Sequence, residues 1–254
     1  DYYNKNNLIA AQVKEKGIKA TLLGGDGWDS PELKFDLFEG GYFSNHYSPA
    51  DPRPLVQDFV KAYEAKYGAV PDALATLAYD AAKILLQGIS EAGVDDPSVV
   101  KDKMAAIQYE GISGDITYDE KHNPVKKAAI VKIEGGKPTF YKFVAPAAAP
   151  AGPSVAKAPG FPVKIAIVVP LSGDVKTFGD STRDGALMAF DEAKAAGWEI
   201  EAVLADSKCD AQEAANAANK VIFEDKVKYI IGEVCSSASI PISEIVEANK
   251  VVQI

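Results

Sequence analysis

Two hydrophobic rhythms divide the chain, and they change over near residue 160. Before that point the elements are mixed. Leu8 to Gly17 has helical spacing and closes on a glycine suited to a left-handed cap, followed by a short apolar strand at Ala20-Thr21-Leu22-Leu23. Gly41 to Tyr47 is aromatic and extended. A proline-rich turn from Ser48 to Pro54 introduces a helix through Tyr67. "VPDALATLAYDAAKILLQGISEAG", Val70 to Gly93, predicts a long Ala/Leu helix too apolar for a single buried face, and a shorter helix runs from Pro97 to Ile107. "GDITYDEKHNPVKKAAIVKIEGGKPTFYKF" then alternates as antiparallel strands do, with turns at Asn-Pro and Gly-Gly.

After residue 160 the rhythm becomes regular. Lys164 to Leu171, Glu199 to Ala205, Val227 to Ile231 and Val251 to Ile254 predict strands; Thr182 to Ala196, Ala211 to Glu224 and Ile240 to Ala248 predict helices. Such alternation implies a parallel sheet covered by helices on both faces. Ligands on such sheets bind at the carboxyl ends of the strands. Here those ends are Leu171-Ser172-Gly173, Asp206 to Cys209 and Gly232 to Ser237. Between the two parts, Ala145 to Gly160 is rich in Ala and Pro; extended, it would reach about 45 Å at about 3 Å per residue. It reads as a tether.

Composition narrows the function. With 254 residues and 47% hydrophobic content, the chain is long enough for one large domain or two ordinary lobes. A net charge of −9, with no Lys/Arg run longer than a pair, offers no footprint for nucleic acid or an anionic membrane. The longest uncharged run, Phe143 to Ala156, is too broken by Pro and Gly to span a bilayer, and Asp1-Tyr2-Tyr3-Asn4 lacks the basic start and apolar core of a signal peptide. Two cysteines, Cys209 and Cys235, exclude a Cys-based zinc cluster and a C-x-x-C redox pair; counting leaves one disulfide or two buried thiols.

Enzyme signatures are missing: there is no Walker loop, nucleotide-binding G-x-G-x-x-G, H-E-x-x-H or G-x-S-x-G elbow. His46 and His122 lie in different segments, His122 in an evident surface turn. No metal site and no cofactor is expected. Two segments have the character of binding loops. "GEVCSSAS" leaves a strand and opens a helix, so hydroxyls and free amides there suit a carboxylate or phosphate; ordinary N-capping by Ser236, Ser237 or Ser239 is the alternative. "GGDGWDS" puts Asp26 in a glycine-rich turn after a short buried strand, where an acid can hold an ammonium group and Trp28 forms an aromatic wall; a solvated turn Asp is the alternative.

Together these segments resemble the type I periplasmic solute-binding proteins, specifically the leucine/isoleucine/valine-binding group of ABC importers. "VKIAIVVPLSGDVKTFGDSTRDGALMAFDEA" is similar to that family's opening strand, ligand loop and first helix, and "DSKCDAQEAANAANKVIFEDKVKYIIGEVCSS" to its disulfide-bearing section. The resemblance implies an α/β fold of two Rossmann-like lobes closing on an amino acid, and a Cys209–Cys235 disulfide. It implies that Ser236, in the Cys-Ser-Ser turn with Ser237, binds the ligand's α-carboxylate, with Phe178 and the loop from Ser172 lining the same side. Asp26 would receive the α-amino group and Tyr2 would supply an aromatic contact; Trp28 is added from its position.

The order departs from the family. The segment like its beginning, 162–254, follows the segment like its end, 1–145, so the chain reads as circularly permuted, engineered in appearance, with the second lobe incomplete between Ile254 and Asp1. The expected division is 1–47, a second-lobe fragment with crossover; 48–110, first-lobe helices; 111–145, second-lobe and hinge strands; 146–161, a linker joining the native termini; and 162–254, the first-lobe sheet. The implied function is extracytoplasmic, in the parent protein periplasmic, reception of an aliphatic amino acid for an ABC permease. The competing readings are a ligand-free fragment that pairs with a complementary chain or with itself, and an enzyme on a Rossmann-like sheet.

Overall fold

The computed structural model describes residues 1–145 and 156–254; the expected linker at 146–161 therefore lies, for its first ten residues, outside the described residues. In chain order come α1 (Tyr3–Glu15), β1 (Leu23–Gly24), β2 (Tyr42–Asn45), α2 (Pro54–Tyr67), α3 (Ala73–Ala92) and α4 (Pro97–Ala105). Five short strands follow: β3 (Tyr109–Gly111), β4 (Gly114–Tyr118), β5 (Pro124–Val125), β6 (Ala128–Glu134) and β7 (Lys137–Val144). The regular half is β8 (Val163–Val169), α5 (Lys176–Ala195), β9 (Ile200–Asp206), α6 (Ala211–Phe223), β10 (Tyr229–Ile231), α7 (Ser236–Asn249) and β11 (Val252–Gln253). These elements form two compact units. Among the described residues no helix is long and apolar enough to cross a membrane.

The larger unit comprises 74–111, 115–125 and 156–254. Its main sheet is parallel throughout, in the order β11-β10-β8-β9. Alternate residues of a strand point to opposite faces, and in β8 both sets, Ile165, Ile167, Val169 and Ala166, Val168, are fully buried. Both faces of the sheet are therefore covered, as the β-branched run predicts. The edge strand β9 is only half-buried, with Leu204 exposed. Helices α3 and α5 approach so closely that a Cβ on Gly185 would lie 1.9 Å from the Ala75 carbonyl oxygen. A small sheet in the order β3-β4-β5 completes this unit.

The smaller unit comprises 1–73, 112–114 and 126–145. Its sheet runs β1-β2-β6-β7, parallel between β1 and β2 and antiparallel beyond, as the alternation after Gly114 predicts. Trp28, Phe38 and Phe43 form its aromatic core, with Trp28 and Phe38 ring centroids 4.5 Å apart. Buried Asp51 holds α2's entry, pairing with Arg53 at 3.0 Å and Lys127 at 3.6 Å, while Arg53 also donates to the Ile112 carbonyl. Helix α2 thus sits in this unit, whereas the expected division grouped residues 48–110 with the other lobe.

Several boundaries differ from expectation for local reasons. Helix α1 begins at Tyr3 rather than Leu8, with Gly17 taking the left-handed cap at φ +63°. The strand expected at Ala20 to Leu23 shrinks to Leu23–Gly24 and is not buried: Leu23 is 76% exposed on the sheet edge. Helix α5 starts six residues before Thr182, because Gly173 at φ +86° turns the chain directly into it and Gly179 permits contact with the Pro170 carbonyl. Helix α7 starts at Ser236, four residues before Ile240. Pro241 lies at its sixth position, where it donates no hydrogen bond to the Ser237 carbonyl and its ring crowds that carbonyl.

Cys209 and Cys235 form a disulfide with Cα atoms 5.5 Å apart, which settles the alternative that counting leaves open. Its 26-residue separation corresponds to about 3–4 kcal/mol in the loop-entropy account.

Gly185→Ala tests the α3–α5 approach. It forces the helices apart and is expected to cost about 1–3 kcal/mol, read as a lower urea midpoint at unchanged m-value. An unaltered midpoint would disprove so close a crossing.

Candidate functional site

Four of the expected site residues lie in the larger unit, at the carboxyl edge of its parallel sheet. The loop after β8 is anchored there by Asp206, the last residue of β9, whose carboxylate accepts the Leu171 amide at 2.8 Å, the Lys208 amide at 2.9 Å and the Ser172 hydroxyl. Burial tends to raise the Asp206 carboxyl, but these hydrogen bonds outweigh it and hold the group below its ordinary value. Ser172 is therefore at the predicted edge with its hydroxyl engaged internally. Phe178 is 2% exposed in the first turn of α5 and packs in the core, so its ring offers no surface to a ligand.

Ser236 and Ser237 have the opposite character. Both are exposed in the first turn of α7, the N-cap residue Cys235 makes no side-chain cap, and the helix hydrogen bonds begin with the Ala238 and Ser239 amides donating to the Cys235 carbonyl. The amides of N-terminal helical residues have no partner within the helix, and together with the helix dipole they attract an anion. The Ser237 hydroxyl reaches the Cys209 carbonyl at 3.4 Å, a long contact. Gly232 precedes this turn at φ +114°, where a Cβ would meet the Val168 carbonyl at 2.2 Å. The strand end consequently requires glycine.

The remaining three candidates lie in the smaller unit. Asp26 opens a 3-10 turn, Asp26–Trp28, and stays half-exposed with its Oδ2 3.0 Å from His46 Nε2. Tyr2 lies against the next residue of the turn: a Cβ on Gly27 would lie 3.1 Å from the Tyr2 ring. Trp28 does not form a wall for a ligand. It is 5% exposed and turned into the aromatic core, and Gly24 lies flat on the indole, where a Cβ would come within 2.2 Å. One glycine of "GGDGW" thus serves tryptophan packing, while Gly25 has open space beside it.

Sequence reading did not single out several residues that build these sites. His46 is separated from Asp26 by 20 positions and no local pattern couples them. Asp29, only partly exposed, accepts the Ala73 amide at 2.7 Å, and desolvation raises its carboxyl above the ordinary value. Ser207 and Glu233 pair at 2.7 Å beneath the disulfide. The one local signal was an acid at each strand end, Asp206 and Glu233, adjoining a serine or cysteine turn. Among the described residues no group of acids, histidines and cysteines has the arrangement of a metal site.

Comparison with known proteins gives this geometry a context. The family model for periplasmic binding proteins matches residues 4–137 and 162–254. The leucine-, isoleucine-, valine-, threonine- and alanine-binding protein of Pseudomonas aeruginosa is 41% identical over 96 residues, 36% of this chain and 26% of that protein. The Leu/Ile/Val-binding protein of Escherichia coli is 36% identical over the same length and shares. The chain thus spans about a quarter of these curated relatives. Among solved structures, the leucine-binding protein LivK of Thermotoga maritima matches with a TM-score of 0.53 and 34% identity, over 57% of this chain and 43% of that one. LivJ of Streptococcus pneumoniae, solved with isoleucine, matches with a TM-score of 0.51 and 28% identity over the same shares.

The Asp26–His46 contact makes a specific prediction. The hydrogen bond from His46 is the largest influence on the Asp26 carboxyl and holds it below its ordinary value against partial burial. The stability this pairing adds is present above the unfolded-state value and is lost as pH falls through the lower folded value. In His46→Ala the Asp26 carboxyl should titrate at higher pH by NMR; an unmoved titration would show that the contact does not form in solution.

Proposed function

The chain belongs to the periplasmic binding protein family, and we propose that it carries the recognition elements of an extracytoplasmic receptor for an aliphatic amino acid, of the kind that delivers its ligand to an ABC-type permease. The observation that carries this reading is the open start of α7. Ser236 and Ser237 stand exposed at the carboxyl edge of a buried parallel sheet, where a helix N-terminus presents amides and hydroxyls to an anion. These two residues take the ligand's α-carboxylate, and the loop from Ser172, held by Asp206, borders them.

In the smaller unit, taken by itself, Asp26 is the acid that the resemblance gives to an α-ammonium group, with His46 3.0 Å from its carboxylate and Tyr2 against the neighbouring Gly27. Phe178 and Trp28 act indirectly, by packing beneath their loops. The names of the relatives, which bind leucine, isoleucine and valine, support an aliphatic side chain. The family is one of binding proteins, not enzymes. Within this proposal the chain order is circularly permuted, with the family's opening stretch at 162–254 and its closing stretch at 1–145.

A second reading rests on a separate observation. In the smaller unit Leu8, Ile9, Ile18 and Leu23 are each at least half exposed, and Leu23 lies on a sheet edge that is unpaired among the described residues. Exposed apolar residues beside an edge strand invite pairing with another chain. On this reading the chain is a fragment that associates with a complementary segment or with itself.

Calorimetric titration with leucine, valine and a polar amino acid separates the two readings. Binding of leucine, weakened roughly 10- to 100-fold by Ser236→Ala and abolished by Asp26→Ala, is expected for the receptor; no heat and no thermal shift at millimolar leucine would exclude it. Sedimentation velocity over a wide concentration range tests the alternative, for which a growing dimer fraction is expected and is suppressed by Leu23→Lys.

A further inference from the structure

The amino-acid reading leaves one acid at the site without a role. Glu233 follows β10 and points back under the start of α7. Its carboxylate accepts the Ser207 hydroxyl at 2.7 Å and the Cys235 amide at 2.5 Å. Ser207 is itself fully buried and receives the Cys209 amide at 3.3 Å. A polar bridge therefore runs from Cys209 through Ser207 and Glu233 to Cys235, alongside the disulfide that joins the same two cysteines.

The two links hold different things. The disulfide constrains the cysteine side chains; the carboxylate constrains the backbone amide of Cys235, the N-cap residue of α7. That amide sets the direction in which the helix leaves the strand. A carboxylate so close to the helix start also favours the dipole when no ligand is present and opposes a second anion there.

We propose that Glu233 is a positioning residue for the anion-accepting turn: it fixes the Cys235 amide so that those of Ser236 and Ser237 open the helix, and its charge state sets how tightly that turn holds a carboxylate. The proposal rests on the receptor reading above. Protonation preserves the first role, because the carboxyl oxygen still accepts the amide and Ser207 can accept the new proton. It removes the repulsion. Affinity for a carboxylate ligand therefore rises as pH falls through the titration of Glu233.

The surroundings favour such a titration. Burial pushes the Glu233 carboxyl up, the hydrogen bonds from Ser207 and the amides of Cys235 and Val234 oppose this, and the Asp206 charge adds to the rise. Lys208, the cation of the neighbouring loop, is already paired with Glu213 at 3.0 Å, and Asp210 caps α6 beside it. The loop after β8 contributes Asp174, and β11 presents only the uncharged Gln253, whose amide donates to the Gly232 carbonyl.

The test uses the whole chain with leucine as the probe, comparing the unaltered protein, Glu233→Gln and Glu233→Ala by calorimetry at about pH 5 and about pH 8, with hydrogen exchange at the Cys235 amide. We expect the unaltered protein to bind leucine more tightly at the lower pH, and Glu233→Gln to bind with the same affinity at both. The Cys235 amide should exchange at least about tenfold faster in Glu233→Ala and stay protected in Glu233→Gln. A pH profile that survives in Glu233→Gln, or protection that survives in Glu233→Ala, overturns the proposal. If none of the three proteins gives heat with leucine at either pH, the receptor reading fails and the ligand half of this proposal with it; the exchange comparison then decides the positioning role by itself.

Discussion

Everything at the carboxyl edge depends on the double burial of β8. A strand covered on both faces and flanked by β9 and β10 can satisfy its amides and carbonyls only through its ladders. The partners are parallel, and parallel partners require crossover helices, which return every loop to the same end. The ends of β8 and β10 meet there so tightly that only glycine fits at 232 against the Val168 carbonyl. Serine-rich turns on a solvent-exposed loop would otherwise have no common location.

Both units divide their polar residues between building a loop and serving as its exposed face. In the larger unit Asp206, Ser172, Ser207 and Glu233 bind one another and the backbone, which leaves Ser236 and Ser237 outermost. In the smaller unit Asp29 is partly exposed and held by the Ala73 amide, while Asp26, three residues earlier, is half-exposed and turned toward His46. A buried acid is held by donors because its charge would otherwise be expensive to desolvate. A half-exposed acid such as Asp26 carries a smaller penalty of this kind, offset by its contact with His46. The same residue types thus occupy structural and candidate binding positions a few residues apart.

Much of this was readable along the chain. The β-branched run of β8 and the alternation of strands and helices after it predict the parallel sheet, and the turns at Asn123-Pro124 and Gly135-Gly136 predict the antiparallel strands. The resemblance of "SKCD" and "GEVCSS" implies the disulfide that forms. Less legible were the aromatic and glycine roles. Trp28 and Phe178 lie in polar, glycine-containing stretches that look like binding loops, and both rings turn inward because the cores beside them have space for a large apolar group. Helices α5 and α7 begin earlier than their apolar periodicity, since the first turn of a helix is often polar and its start is decided by turn geometry at Gly173 and Cys235.

Local pattern by itself determined which segments are strands and helices, which half of the chain builds a parallel sheet and which strand ends carry candidate chemistry. That information resides in neighbouring residues, whose periodicity sets the face each presents. Tertiary structure alone decided that Asp26 meets His46, that Glu233 reaches Ser207 and Cys235, and which of the site's serines stay open. These contacts join residues from different elements, and their geometry exists only once packing has fixed the strand ends side by side.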